Sequence, residues 1–156
     1  MKTLVAYATK GGVTEESAQV IAQTLREKYG FDVDIVNLRK NPAPDITQYR
    51  NIIIGSGIRM GRWYKSALKM LELDFTGKKV VLFLSACSAG NPEKHDEAVR
   101  NYLDAVLAKY PHVKPVAAQA FGGRMRMLGK TIEDNRDMDK IIEWAEDVGK
   151  KLKEES

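Results

Sequence analysis

The sequence predicts an α/β fold, a three-layer sandwich in which helices cover both faces of a five-stranded parallel sheet. Short apolar runs alternate along the 156 residues with segments whose apolar residues recur every three or four positions. The runs at residues 51–54 and 80–84 are almost continuously apolar, which is typical of strands buried on both faces. Because crossovers between parallel strands are right-handed, few arrangements remain, and we expect the strand order 2-1-3-4-5.

Each strand and helix follows from a local pattern in the chain. The strands are expected at residues 4–8, 33–38, 51–54, 80–84 and 116–121. The helices are expected at residues 14–29, 63–73, 91–109 and 138–152, where apolar residues form one stripe. Gly30 ends the first helix, because glycine adopts the left-handed conformation that follows many helices. Asn91, Pro92 and Glu93 predict the start of the third helix, since Asn caps helices and Pro is tolerated in the first turn.

The composition is that of one globular domain, which we expect to span residues 1–156. A hydrophobic fraction of 44% and a charged fraction of 29% exclude a disordered or fibrous chain. The single cysteine, Cys87, excludes an internal disulfide, and no set of residues has the spacing of zinc ligands. The apolar run at residues 4–8 is too short for a signal peptide, and no stretch is long enough to span a membrane, so we expect a cytoplasmic protein.

The loops that follow the strands are where a ligand is expected, because parallel sheets of this kind bind ligands beyond the carboxyl ends of their strands. The first loop joins a strand to a helix and consists of Thr9, Lys10, Gly11, Gly12, Val13 and Thr14. Its glycines let the backbone approach a ligand, while its hydroxyls and the free N–H groups of the helix attract an anion. We interpret this loop as a phosphate cradle; the alternative is an ordinary turn capped by Thr14. Glu15 and Glu16 would repel a phosphate unless they point away from it.

Residues 5–18 resemble the signature of the flavodoxin family, in which the corresponding loop binds the phosphate of FMN. The matching positions are Tyr7, Thr9, Gly12, Thr14, Ala18 and Ile21. Ala6 departs from the pattern because it is smaller than the usual residue. The resemblance covers essentially the whole chain. It implies a flavodoxin-like fold, FMN as a non-covalent cofactor and electron transfer to or from a redox partner protein.

The same resemblance implies that the loops after the third and fourth strands hold the flavin ring. These loops contain Ser56, Gly57, Ile58, Arg59, Met60, Gly61 and Trp63, and then Ser85, Ala86, Cys87, Ser88 and Gly90. Glycines permit positive φ angles, and Gly57 and Gly61 are the candidates for a peptide that reorients when the flavin is reduced. Trp63 and Tyr64 are interpreted either as a cover for the ring or as core residues of the second helix. Cys87 is interpreted either as a redox thiol or, as we expect, as a small packing residue, and no catalytic residue is predicted.

A local resemblance implies an alternative function. Gly55, Ile58, Arg59 and Gly61 match a loop of the menaquinone-dependent protoporphyrinogen oxidase branch of flavodoxin-like proteins, in which an aromatic residue stands where this chain has Met60. That branch carries a longer basic and apolar segment after the fifth strand, of which only residues 125–132 remain here. The alternative is therefore an FMN-dependent oxidase or dehydrogenase acting on a porphyrinogen or quinone. We favour the electron carrier.

The positive charge is unevenly distributed. The net charge is +4, and residues 1–78 supply all of it with 12 basic and 8 acidic side chains. Several basic residues fall in or next to the expected flavin loops, namely Lys10, Arg59, Arg62, Lys65, Arg124, Arg126 and Lys130. This basic rim predicts an acidic redox partner or an anionic small-molecule substrate. No nucleic-acid-binding motif accompanies the charge, and the chain lacks the acidic residues that a phospho-acceptor domain needs after its first and third strands.

Overall fold

A parallel sheet lies between two layers of helices in the computed structural model, which describes residues 2–154 and, at residues 126 and 127, the backbone alone. The strands are β1 (Lys2–Ala8), β2 (Asp32–Asn37), β3 (Asn51–Arg59), β4 (Arg62–Trp63), β5 (Lys79–Ala86), β6 (Ala117–Gly122), β7 (Arg124–Met127) and β8 (Lys130–Asp134). The helices are α1 (Val13–Tyr29), α2 (Lys65–Leu71), α3 (His95–Val99), α4 (Ala105–Lys109) and α5 (Met138–Glu154). A 3₁₀ helix at Cys87–Gly90 follows β5, and a π-helical segment at Arg100–Asp104 joins α3 to α4.

Five of the strands pair in parallel in the order β2-β1-β3-β5-β6. This confirms the predicted fold class and the predicted order, because these strands are the five that the sequence indicates. The sequence does not predict the other three: β4 pairs antiparallel with the end of β3, and β7 and β8 form an antiparallel hairpin after β6. Within residues 2–154, no helix is both long enough and apolar enough to cross a membrane.

The sheet separates two hydrophobic cores, because successive side chains of a strand face opposite sides. On one side Leu4, Ile52 and Leu82 pack with the apolar faces of α2, α3 and α4. On the other side Val5 and Phe83 pack with those of α1 and α5. All five side chains are fully buried. The continuous apolar runs of the sequence are therefore strands covered on both faces.

The first two helices begin at different residues from those predicted. α1 begins at Val13, and Gly12 precedes it with a φ of 86°, so Gly12 rather than Thr14 occupies the cap position. α2 begins at Lys65 instead of residue 63, because Trp63 pairs with Ile58 in β4 and cannot also join the helix.

The third predicted helix starts later than expected and is divided. Residues 91–94 form turns in which the side-chain oxygen of Asn91 accepts a hydrogen bond from the Glu93 N–H at 3.0 Å. Such local bonds are why Asn favours turns over helix interiors. Regular helix begins only at His95, and the π-helical segment interrupts it.

The glycines near the end of the third strand serve packing more than turning. Glycine permits a positive φ at each of these positions, but of Gly55, Gly57 and Gly61 only Gly61 has one, of 76°. A Cβ on Gly55 would lie 2.1 Å from the ring of Phe83, which is fully buried. The Phe83 ring therefore occupies the space that any side chain at residue 55 would need.

We expect Gly55→Ala to lower the free energy of unfolding by about 1–3 kcal/mol, because overpacking a filled core forces side chains and backbone to shift. Urea unfolding measures the change. Gly11→Ala is the matched control, since a Cβ on Gly11 would have no neighbour within 4 Å. Equal unfolding midpoints for the two variants would contradict this account of the packing.

Candidate functional site

A cleft of about 540 Å³ lies at the carboxyl ends of β1, β3, β5 and β6. It falls within the 300–1,000 Å³ that small-molecule sites usually occupy. The predicted site residues that line it are Thr9, Gly11, Val13, Thr14, Gly57, Ile58, Arg59, Gly61, Ser85, Ala86, Cys87 and Ser88. The structure thus brings together residues from the three loops for which the sequence predicts a ligand.

The first part of the cleft is the turn between β1 and α1. Gly12 at the cap position leaves the first N–H groups of α1 without helical partners, and the helix dipole makes this end positive. The Thr14 hydroxyl is buried and has no hydrogen-bond partner within the described part of the chain. A Cβ on Gly57 would lie 3.1 Å from the Thr9 hydroxyl and 3.3 Å from the Thr14 hydroxyl. The glycine therefore leaves both hydroxyls room to meet an anion.

The two acidic residues of the same turn are held by other parts of the fold. The Tyr7 hydroxyl donates a hydrogen bond to Glu15 at 3.0 Å. Arg136 forms an ion pair with Glu16, also at 3.0 Å. Burial and the neighbouring Glu15 carboxylate raise the pKa of Tyr7, which keeps its hydroxyl protonated as the donor. Both carboxylates are thus bonded to other parts of the fold, and the charge of Glu16 is balanced by that of Arg136.

A second wall comes from the hairpin of residues 58–63, formed by the end of β3 and by β4. Ser56 is buried below it, donates to the Gly57 carbonyl oxygen at 2.7 Å and accepts from the Tyr64 N–H at 3.1 Å. The Tyr64 hydroxyl in turn accepts a hydrogen bond from the Lys10 N–H at 3.0 Å. These bonds join the turn after β1 to the hairpin and fix Tyr64 at the edge of the cleft.

The third wall contains the only cysteine of the chain. The Cys87 thiol donates to Glu133 at 2.7 Å, and the Asn135 side chain donates to the Cys87 carbonyl oxygen at 2.8 Å. Burial, followed by the hydrogen bond to Glu133 and its charge, raises the pKa of Cys87 to about 11. A thiol with this pKa is a weak nucleophile at neutral pH, which argues against a redox thiolate.

Several predicted site residues do not line the cleft. The Lys10 side chain is exposed, Gly12 caps α1, and Ser56 is buried beneath the wall. Met60 is exposed at the tip of its hairpin. Gly90 lines a neighbouring cavity instead, and is packed there against Asn135.

Trp63 is also outside the cleft, so of the two interpretations of this residue the structure supports the core one. Its side chain is buried on the α2 side of the sheet, and its indole N–H donates to the Tyr102 carbonyl oxygen at 2.6 Å. Antiparallel pairing with Ile58 directs the indole inward. Trp63 thereby positions the π-helical segment that carries Tyr102.

The lining residues that the predicted set lacks are Tyr64, Tyr102, Gly123, Arg124 and Met125. Tyr64 was considered beside Trp63, and the last three belong to the segment after the fifth strand. No pattern in the sequence indicates Tyr102, because its position depends on the π-helical segment and on the bond from Trp63. π-Helical segments occur often at functional sites, but they have no reliable sequence signature.

The hairpin of residues 124–134, formed by β7 and β8, is tied to the rest of the fold at its base. Arg136 lies between Asp134, at 2.6 Å, and Glu16 on α1. Hydrogen bonds from Arg136 lower the pKa of Asp134 to about 2, so this carboxylate is charged at all physiological pH values. The Gly123 N–H also donates to the Ala86 carbonyl oxygen at 3.0 Å. The segment after the fifth predicted strand is therefore an ordered hairpin beside the cleft.

We expect Cys87 to react slowly with iodoacetamide. At pH 8 a pKa of about 11 leaves roughly one thousandth of the thiol ionised, about 100-fold less than for a thiol of pKa 9. The rate should rise with pH up to about 11. Glu133→Gln should accelerate alkylation, because the carboxylate no longer opposes the thiolate charge. Glu72→Gln, far from Cys87 at the end of α2, is the control; equal rates in both variants would contradict the coupling.

Comparison with known protein families gives one family match and a set of relatives. A family model described as a flavodoxin domain matches residues 4–150. Among characterised proteins, protoporphyrinogen IX dehydrogenase (quinone) of Escherichia coli strain K12 is 33% identical over 110 residues. The alignment covers 69% of this chain and 60% of the relative, so the chain spans less than two thirds of that protein's length.

Solved structures share the fold at lower identity. Oxidised flavodoxin 1 from Bacillus cereus superposes with a TM-score of 0.64 at 21% identity, over the full length of both chains. Rubredoxin oxygen:oxidoreductase from Desulfovibrio gigas superposes with a TM-score of 0.60 at 17% identity, over 97% of this chain and 36% of that one. The same architecture is therefore found in a chain of this size and as part of a larger protein.

Proposed function

Because the chain belongs to the flavodoxin family, we propose that it binds FMN non-covalently in the cleft and transfers electrons to or from a partner protein. When bound, the flavin supplies the redox chemistry, and the protein binds it, orients it and excludes water. The observation that carries the proposal is the buried Thr14 hydroxyl, which has no partner within the described residues and lies at the positive end of α1. A buried polar group without a partner is costly, and an FMN phosphate would satisfy it.

The chemistry of the cradle fits a phosphate group. The free N–H groups at the start of α1 and the hydroxyls of Thr9 and Thr14 are hydrogen-bond donors gathered at one end of the cleft. Glu15 and Glu16 are engaged by Tyr7 and Arg136, so their carboxylates do not compete for these donors. This end of the cleft would therefore hold the phosphate.

The rest of the cleft fits a flat polar ring. Ser85 has a buried hydroxyl that, like that of Thr14, has no partner in the described chain. Tyr64 and Tyr102 supply aromatic surface, and Met125 supplies a polarisable side chain. The ring would lie among these groups, with Ser85 and the backbone between Gly57 and Gly61 hydrogen-bonding its edge. The peptide that reorients on flavin reduction stays a prediction, for which Gly61 is the better candidate because it already has a positive φ.

We expect Thr14→Val to weaken FMN binding roughly 10- to 150-fold, the effect of removing one hydrogen bond to a charged group. The apoprotein should keep its stability, because the lost hydroxyl has no partner in it. Titration of FMN fluorescence measures the dissociation constant, and thermal unfolding of the apoprotein measures stability.

Thr24→Val is the matched control on the same helix. Its hydroxyl is bonded to the Val20 carbonyl oxygen at 2.8 Å, away from the cleft, so this variant should affect stability and leave FMN binding alone. Equal FMN affinities for wild type and Thr14→Val would remove the phosphate cradle from the proposal. Failure of the wild-type chain to bind FMN would overturn the proposed function.

A second candidate is an FMN-dependent oxidoreductase, favoured by the 33% identity to protoporphyrinogen IX dehydrogenase (quinone). Dehydrogenation of a porphyrinogen needs a group that accepts a proton, and no such base was identified from the sequence. Glu133 does not line the cleft itself, but its carboxylate lies 2.7 Å from the sulfur of Cys87, which does, and it is the candidate base. An anaerobic assay with protoporphyrinogen IX, a quinone and the FMN-loaded protein separates the two functions. Multiple turnovers that Glu133→Gln abolishes would support the enzyme, whereas a rate equal to that of free FMN would support the carrier.

A further inference from the structure

Two hairpins beside the cleft end in the same type of turn, and each has an unusual residue in it. In the 58–63 hairpin the two turn residues are Met60, with a φ of 52°, and Gly61, with a φ of 76°. In the 124–134 hairpin they are Leu128, with a φ of 52°, and Gly129, with a φ of 79°. Positive φ at both turn residues is the pattern of the tight hairpin turn that Asn-Gly normally makes. Here a large apolar residue stands in each place where Asn is preferred.

Burial within the protein does not explain the apolar residues at these positions. Positive φ is unfavourable for bulky side chains, and Met60 and Leu128 nevertheless adopt it. The side chains are 92% and 97% exposed, so they contribute almost no buried area in return. Met125 and Ile132 on the 124–134 hairpin are also exposed. Backbone strain and apolar exposure coincide at both tips, which is the combination expected where a protein contacts something else.

The charged residues that directly flank the two turns are basic. Arg59, Arg62 and Lys130 flank the two turns, and within the described part of the chain none of their side chains has a hydrogen bond or an ion pair. Arg126 belongs to the same hairpin, but its side chain lies outside what the structure describes. The carboxylates nearby are already engaged, since Glu133 accepts from Cys87 and Asp134 from Arg136. The turn ends of the two hairpins are therefore basic and apolar, whereas Glu133 and Asp134 lie at the base of the second hairpin.

The two tips flank the cleft. β5 lies between β3 and β6 in the sheet, so the hairpins that follow β3 and β6 stand on either side of the Cys87–Gly90 segment. Arg59 and Gly61 from one hairpin, and Arg124 and Met125 from the other, line the cleft itself. A protein that contacts both tips would therefore cover the opening of the cleft.

We propose that Met60 and Leu128 are twin apolar anchors of a docking surface for an acidic redox partner protein, held there by the basic residues around them. The inference rests on the proposed function for its purpose, because such docking would bring the partner's redox centre close to a bound flavin. Charge complementarity decides the partner: an acidic surface pairs with the free basic groups, and apolar recesses on it receive the two tips. The unpaired charges speed and orient the encounter, and the tips supply the desolvated contacts.

Replacing each tip residue with Asn separates docking from folding. Asn tolerates a positive φ better than Met or Leu does, so Met60→Asn and Leu128→Asn should leave the melting temperature unchanged or raise it. Removing the apolar anchors should at the same time weaken docking, and the double variant should bind the partner at least about 10-fold less tightly. A merely structural role for these residues would move both measurements in the same direction.

The experiment measures binding of two acidic iron–sulfur proteins, a ferredoxin and a rubredoxin, to the protein by calorimetry at low ionic strength. It is done with and without FMN, so the result does not depend on flavin binding, which a separate titration follows. Arg62→Glu and Lys130→Glu should weaken binding, as should added salt. Leu73→Asn is the matched control, because Leu73 follows α2 at the opposite end of the sheet and is also exposed.

The expected result is binding of an acidic probe that the double Asn variant loses and the Leu73 variant keeps. Equal binding by wild type and the double Asn variant would overturn the proposal, as would no binding of either probe. Two further outcomes would assign the tips to a different occupant. These are tip-dependent binding to vesicles that contain anionic lipid, and tip-dependent self-association in sedimentation equilibrium. If docking is observed but FMN does not bind, the proposed function fails and the docking surface stands.

Discussion

Parallel pairing of four apolar strands is the constraint on which the site depends. Because β1, β3, β5 and β6 run in the same direction, their carboxyl ends meet at one edge, and the segments that follow them must share that space. β1, β3 and β5 are buried on both faces, so a shift of register would carry apolar side chains to the wrong core and is strongly disfavoured. Residues far apart in sequence, such as Thr14, Ser85 and Met125, thereby line one cleft. The polar groups of the cleft lie at the carboxyl ends of these strands and in the segments that follow them.

The parts of this arrangement that depend on residues close together in the chain could be predicted from the sequence, and the parts that depend on distant contacts could not. The apolar runs and the turn after β1 carry their own signals, so the sheet order and the place of this turn at the cleft follow from sequence. The buried position of Trp63 does not follow from sequence, because it depends on a hairpin whose turn begins with Met60 rather than Asn. Tyr102 is further removed, since its place requires both a π-helical segment and a bond from Trp63. The positions of Trp63 and Tyr102 both depend on contacts between distant parts of the chain, which no local pattern indicates.

The cores are tightly packed, whereas the cleft contains buried polar groups that have no partner in the described chain. Phe83 packs onto Gly55 with no space left, whereas the hydroxyls of Thr14 and Ser85 are buried without partners in the described chain. Unpaired buried hydroxyls lower stability, as do positive φ angles at bulky residues. A fold keeps such features only where the remaining packing outweighs them, and sites where local rules are broken are commonly the functional ones. Among the residues that the structure describes, the unpaired hydroxyls of Thr14 and Ser85 and the strained Met60 and Leu128 gather around one opening, which is the strongest physical reason to regard it as the functional site.

The ion pairs near the cleft are better explained by charge arrangement than by stability. Partly exposed pairs such as Arg136 with Glu16 and Asp134 contribute little to the free energy of folding. Their positions matter more. Arg136 donates a hydrogen bond to Glu16, and Tyr7 donates one to Glu15. The two carboxylates that would repel a phosphate therefore point toward these partners. Arg59, Arg62 and Lys130 on the hairpins have no such partners among the described residues. The net charge of +4 therefore does not describe the potential at the cleft, because Arg59 and Arg124 line the cleft while the charges of Glu15 and Glu133, which accept from neutral donors, remain.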